Sequence, residues 1–186
     1  MHLPAPHSIS KIAYPKAVFT LLLAIYGVLC ARSVAEGSFL DRVDLIAHEA
    51  GHLLFGYGGE FMMVVGGTLG QLLVPVGIGA YFVKRREFYS AAVLLFWLGQ
   101  NFFNISVYVK DAAAMELPLV NIGGGDGIHD WNYLLLKFNI LAWDQTVGSL
   151  VFAVGVLLMV LSIAGCGFFS WERQEMDGSS EVTIVP

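Results

Sequence analysis

Apolar runs long enough to cross a lipid bilayer recur four times along this chain. A transmembrane helix needs about 20 predominantly apolar residues. The sequence meets that length in four ranges, roughly 15–34, 61–83, 88–109 and 146–169. The pattern therefore predicts an all-α, multipass transmembrane helical bundle, with residues 1–170 forming a single integral membrane domain and the lipid bilayer as its surroundings.

A fifth helix, predicted at roughly 39–57, is more polar than these four spans. Asp41, Arg42 and Asp44 lie in its first turns, and its apolar part, Leu45 to Tyr57, is too short to span a membrane alone. We expect this helix either to enter and leave the membrane on one side, or to cross it only where protein neighbours shield it.

Two further segments break the apolar pattern. Residues 110–130 contain a glycine triplet and predict a loop, which is followed by a short interfacial helix from Trp131 to Leu141 with Asp130 as its N-cap. The tail, residues 171–186, is polar, acidic and contains serine and glycine, so we expect it to be disordered.

Composition supports a membrane protein and argues against binding to nucleic acid. The chain has 186 residues, of which 56% are hydrophobic and only 13% are charged, whereas about a quarter of the residues in soluble domains are charged. Its net charge of −5 comes without any basic stripe, so nucleic acid is not an expected partner. Neither Cys30 nor Cys166 belongs to a CxxC pair, which argues against a thiolate zinc site or a redox motif.

The strongest basic cluster indicates an orientation in the membrane. Lys84, Arg85 and Arg86 follow the second span, and the positive-inside rule places such a loop in the cytoplasm. Two more spans then return the C-terminus to the cytoplasm as well. The side of the N-terminus stays open, because it depends on whether the fifth helix crosses the membrane.

The fifth helix carries an HExxH motif formed by His48, Glu49 and His52. Residues four apart lie on one helix face about 6 Å apart along the axis, so both imidazoles can reach one metal ion. This spacing is typical of zinc hydrolases, in which the glutamate acts as a general base on water. We therefore predict one Zn²⁺ ion bound by the two histidines, with Glu49 as the catalytic base.

A catalytic zinc ion usually takes three protein ligands and keeps one open position. His2 and His7 lie near the chain end and are expected to be solvated, so His129 in the glycine-rich loop is the natural third ligand. Asp126 and Asp130 are also suitable oxygen donors. Either carboxylate is an alternative third ligand, or fixes the orientation of a histidine ring from the second coordination shell.

Amides and glycines in the predicted spans suggest further contacts between helices. The amides are Gln71, Gln100, Asn101 and Asn104. Hydrogen bonds between helices are their simplest role, and Asn104 is our candidate for a contact with the substrate backbone or an oxyanion. The glycines are Gly51, Gly66, Gly67 and Gly70. They fit the small-residue spacing that lets two helices approach closely.

With its membrane-embedded HExxH motif and a glycine just before the second histidine, the chain resembles the site-2 protease group of intramembrane zinc metalloproteases. In that group a later Asn…Asp-Gly segment supplies an aspartate ligand, and the nearest match here runs from Asn121 to Gly127 and contains Asp126. Gly125 stands where that group has leucine, the proline between Asn and Asp is missing, and the chain has no PDZ-like insertion.

The resemblance implies a membrane-embedded zinc metallopeptidase that hydrolyses a peptide bond of a membrane protein or peptide, in or near the bilayer. The alternative is a non-proteolytic, metal-binding multipass membrane protein or an accessory subunit of a membrane complex. The small size and the lack of a substrate-recognition domain favour this alternative. Coordination of one metal ion by His48, His52, His129 and an aspartate would close the fourth position and also favour it.

Overall fold

The computed structural model describes residues 8–34, 37–117, 129–176 and 182–184. Within these ranges the chain forms six helices and a small antiparallel sheet of three strands. In chain order they are β1 (Ser8–Ile12), α1 (Tyr14–Arg32), α2 (Phe39–Phe55), α3 (Glu60–Lys84), α4 (Phe88–Lys110), α5 (Asp130–Lys137), α6 (Asp144–Phe168), β2 (Trp171–Met176) and β3 (Val182–Ile184). Short 3₁₀ turns, Gly56–Gly58 and Leu141–Trp143, precede α3 and α6.

Four of these helices, α1, α3, α4 and α6, are long and apolar enough to cross a membrane. They match the four predicted spans to within two residues at each end. Their outward surfaces are apolar: Leu21 and Leu29 of α1 and Leu157 of α6 are each more than half exposed. Such surfaces are costly in water and favourable in lipid, so the bundle is compatible with an integral membrane protein.

One end of the bundle brings together strands β1 and β2 and the basic turn at residues 84–86, and we call it the basic end. Ala13, just before α1, donates a backbone hydrogen bond of 2.8 Å to the carbonyl of Ser170, just after α6. Tyr89 at the start of α4 donates its hydroxyl to the Lys16 carbonyl in α1 at 2.8 Å. The beginnings of α1 and α4 and the end of α6 therefore lie together.

Helix α2 packs against the first half of α3, and the two helices run in opposite directions. Gly51 lies against Gly66, and further back along α2 the carbonyl of Ala47 lies against Gly70. A Cβ atom added at Gly66 would come within 2.7 Å of the Gly51 carbonyl oxygen and of the Phe55 Cβ. The predicted close approach of glycines is therefore present. Helix α2 begins near the middle of the bundle and ends at the end opposite the basic one.

The most extensive packing joins α4 and α6, again through glycine. A Cβ atom at Gly99 would lie 3.0 Å from the Gly155 carbonyl oxygen, so the two backbones are nearly in contact. Phe96, Phe103 and Met159 form an apolar cluster beside this crossing. This pair provides the rigid side of the bundle against which α2 and its polar residues rest.

Two predictions outside the spans differ from the structure. Helix α5 begins at Asp130 and ends at Lys137, and its N-cap is His129 rather than Asp130. Part of the tail predicted to be disordered forms β2 and β3, and β2 pairs with β1. Backbone hydrogen bonds hold such a ladder without a hydrophobic pattern in the sequence, so composition alone did not reveal it.

Candidate metal centre

Helix α2 presents His48 and His52 one turn apart, and Asp130 at the start of α5 meets both of them. The Nε2 atoms of His48 and His52 lie 2.9 Å and 3.2 Å from the same Oδ2 atom of Asp130. Among the residues that the structure describes, this is the one group of three His, Cys, Asp or Glu side chains arranged to share a metal ion. The predicted histidine pair is therefore present, with Asp130 as its partner.

The outer nitrogens of the two rings are also engaged. His52 Nδ1 donates to the backbone carbonyl of Met63 at 2.8 Å, and His48 Nδ1 lies 2.9 Å from Gln71 Oε1. Because these oxygens accept hydrogen bonds, each Nδ1 acts as the donor, and the two Nε2 atoms are left facing Asp130. Two Nε2 atoms that meet one carboxylate oxygen suit a shared positive charge, either a proton on a ring or a metal ion.

The electrostatics of the centre favour positive charge. The hydrogen bond to the Asp130 carboxylate outweighs burial and raises the pKa of His52 from 6.5 to about 9. Burial alone would raise the pKa of Asp130, but hydrogen bonds from His48 and His52 outweigh it and hold that pKa below its ordinary value. Two imidazoles and one carboxylate are also a common ligand set of catalytic zinc, so the residues present fit the predicted ion.

Gly67 of α3 provides the space that the two rings occupy. A Cβ atom at this position would lie 2.6 Å from both His48 Nε2 and His52 Cε1. Such a separation is far below van der Waals contact, so any side chain here would displace the rings. The sequence suggested only helix packing for Gly67, because its spacing does not reveal which side chains face it.

The prediction of His129 as third ligand is corrected by the structure. This buried ring caps α5: its Nδ1 accepts a hydrogen bond from the Asn132 backbone N–H at 3.2 Å, and its Nε2 lies 3.2 Å from Asp111 Oδ2. Both nitrogens are thus engaged away from the histidine pair, and Asp130, one of the two alternatives named from the sequence, is the residue that meets the pair. His129 instead fastens the start of α5 to the end of α4 and so positions Asp130.

The remaining predicted positions divide between the cavity and residues outside the described ranges. Asp126, in the Asn121–Gly127 match, lies outside the described residues, as do His2 and His7. Glu49 and Asn104 are half-buried and line the same cavity as the histidines.

The cavity measures about 570 Å³, within the usual range for small-molecule and peptide sites. Tyr108, Thr68 and Gln71 also line it, and Thr68 Oγ1 and Gln71 Nε2 have no hydrogen-bond partner within the described chain. Tyr108 lies one turn after Asn104 on the same helix face, so its spacing from Asn104 could have predicted it as a cavity residue. The cavity therefore offers polar groups beside the metal centre.

No protein-family model matches this chain, and no curated protein or solved structure is significantly similar to it.

Proposed function

We propose that this chain is a multipass membrane zinc metallopeptidase with its metal bound by His48, His52 and Asp130. The observation that carries the proposal is the convergence of both Nε2 atoms on one carboxylate oxygen, with each Nδ1 held by an acceptor. Hydrogen bonds from Nδ1 to an acceptor are the pattern by which proteins orient imidazoles towards a metal ion.

The residues around the centre suit the hydrolysis of an amide bond. A zinc ion, when bound, would lower the pKa of water and polarise a carbonyl. Glu49 lines the cavity one residue after His48, where it can accept a proton from the attacking water and pass it to the leaving amine as the C–N bond breaks. Asn104 and Tyr108 line the same cavity and are the side chains on α4 that we propose hold the substrate backbone.

Three protein ligands favour a peptidase over a structural metal site. A structural zinc ion is almost always held by four protein ligands, whereas a catalytic one keeps a position for water and substrate. In the non-proteolytic alternative His129 would close that position together with an aspartate, but its ring is engaged with Asp111 and the α5 backbone. The centre also opens into a cavity large enough for a peptide segment. Both observations support catalysis.

We further propose that the basic end faces the cytoplasm, following the positive-inside rule for Lys84, Arg85 and Arg86. The N-terminal strand β1 pairs with β2, so both chain ends would lie on that side. Helix α2 would then be re-entrant from the opposite side. Gln71, which holds His48, is about 16 Å from the start of α3 at that opposite end. A substrate would therefore reach the centre from the non-cytoplasmic side or from within the bilayer.

The test compares Glu49→Gln with Glu60→Gln, which makes the same change at an exposed residue outside the cavity. Each protein is purified in detergent, its zinc content is measured, and hydrolysis of a quenched fluorescent library of apolar peptides is followed. We expect one zinc per chain in all three proteins and loss of hydrolysis in Glu49→Gln alone. Hydrolysis by Glu49→Gln at the wild-type rate would refute the mechanism. Zinc binding without any hydrolysis by the wild type would favour the non-proteolytic alternative.

A further inference from the structure

A second polar cluster lies between α2 and α4, and its members are Asp41, Asp44, Gln100 and Asn101. Asp44 is 1% exposed, and its Oδ1 accepts hydrogen bonds from Trp97 Nε1 at 2.7 Å and from Asn101 Nδ2 at 3.0 Å. Gln100 Nε2 in turn donates to Asp41 Oδ1. Each amide nitrogen therefore donates a hydrogen bond to one of the two carboxylates. The amide oxygen belongs to the same planar group as that nitrogen, so it too lies near the carboxylates of Asp41 and Asp44.

Three oxygens of this cluster have no hydrogen-bond partner in the part of the chain that the structure describes. They are Asp44 Oδ2, Gln100 Oε1 and Asn101 Oδ1, and each is shielded from solvent. All three are acceptors, and leaving a buried acceptor unsatisfied is destabilising. Since acceptors cannot satisfy one another, the missing partner must be a cation or a donor.

The charge of the cluster also indicates that a cation is missing. The groups that contact the two carboxylates are neutral: an indole, two amides and the Ser38 backbone N–H. Within the described residues neither Asp41 nor Asp44 forms an ion pair with lysine or arginine. Buried carboxylates are rarely left without a positive partner, because removing them from water is costly.

We propose that Asp44, Gln100 and Asn101 bind a sodium ion between α2 and α4. The three free atoms are all hard oxygen ligands, and one of them is anionic. Ca²⁺ takes six to eight oxygens and usually several carboxylates, whereas zinc prefers nitrogen or sulfur ligands. A monovalent hard cation therefore fits the number and type of donors best. This inference does not depend on the peptidase proposal.

The protonation of Asp44 sets the pH range of the effect. Burial raises the pKa of Asp44 from 3.8 to about 6. The folded state therefore keeps a proton that the unfolded state releases, so without a cation stability falls as the pH rises from about 4 to 6. Above pH 6 the ionised carboxylate is available to sodium, and below it the proton replaces the ion.

The test measures thermal unfolding of the zinc-loaded protein in detergent, in NaCl, KCl or choline chloride of equal ionic strength. At pH 7.5 we expect saturating sodium to raise the wild-type midpoint by about 5 °C over choline, which is typical of a ligand well above its dissociation constant. The increase should disappear at pH 5. It should also be lost in Asp44→Asn and kept in Glu116→Gln, an exposed control for the same loss of charge.

Equal midpoints in sodium and choline for the wild type would overturn the proposal, since water alone would then fill the site. A response to potassium but not to sodium would overturn sodium as the occupant. If Asp44→Asn does not fold, amide hydrogen exchange of the wild type decides the question. Sodium should slow exchange in α2 and α4 at pH 7.5, and unchanged exchange there would overturn the proposal. Zinc content is measured in parallel, so that a change in stability caused by loss of zinc is not attributed to sodium.

Discussion

Helix α2 carries two polar clusters that differ in their donor atoms. Around His48, two imidazole nitrogens and one carboxylate oxygen converge beside an open cavity. Around Asp44, one turn earlier, one carboxylate oxygen and two amide oxygens are buried without a hydrogen-bond partner among the described residues. Nitrogen donors select transition metals and hard oxygen donors select alkali or alkaline-earth ions. The helices packed against α2 therefore determine which donor atoms each cluster offers: α3 and α5 complete the first cluster, and α4 completes the second.

The largest effect should follow from removing Asp130. We expect Asp130→Ala to weaken zinc binding by more than about 100-fold, since loss of a ligand should exceed the loss of an outer contact. Titration against a competing chelator measures this change. His129→Asn sharpens the assignment, because asparagine is a good N-cap and should preserve zinc binding. A 100-fold loss in His129→Asn would show that the histidine itself is a ligand.

Gly67→Ala should disturb the histidine pair almost as strongly. The added methyl group would overlap both rings, so we expect zinc content to fall well below one per chain and the unfolding temperature to drop. Gly77→Ala is the matched control in α3, where a Cβ would meet nothing within 4 Å. Normal zinc content in Gly67→Ala would mean that the rings do not lie where we describe them.

Replacing Gln71 tests the orientation of His48. Gln71→Met removes the acceptor for His48 Nδ1 and should weaken zinc binding by about 10–100-fold, as outer contacts of metal ligands do. Gln71→Glu keeps an oxygen acceptor of similar length and should restore most of the affinity. If both variants bind zinc like the wild type, the hydrogen bond to His48 has no part in the site.

The smallest effect should come from Trp97→Phe, which acts only on the second cluster. The change removes one hydrogen bond to Asp44 and keeps most of the ring, so it should cost about 1–2 kcal/mol of unfolding free energy. Zinc affinity should not change, whereas the sodium concentration needed for half of the thermal stabilisation should rise a few-fold. A parallel loss of zinc would mean that the two clusters are not independent.

Hydropathy and the HExxH spacing were enough to predict the spans and the histidine pair. These features depend on residues close together in the sequence, so local patterns record them. The partner of the histidine pair was different: His129 and Asp130 are adjacent, and only the cap geometry of α5 shows which one reaches α2. The roles of Gln71 and Gly67 depend on how α3 is rotated against α2, which the periodicity of either helix alone does not reveal.

The pairing of β1 with β2 has a consequence for how α1 moves. It ties the first turn of α1 to the end of α6, so we expect any displacement of α1 to be a pivot about Tyr14, largest near Arg32. Cys30 is buried near the end of α1 that would move, and Cys166 is buried near the pairing of β1 with β2. Cys30 should then react with a thiol reagent faster than Cys166. Equal rates would mean that α1 does not hinge there, and that a substrate entering from the lipid must take another path.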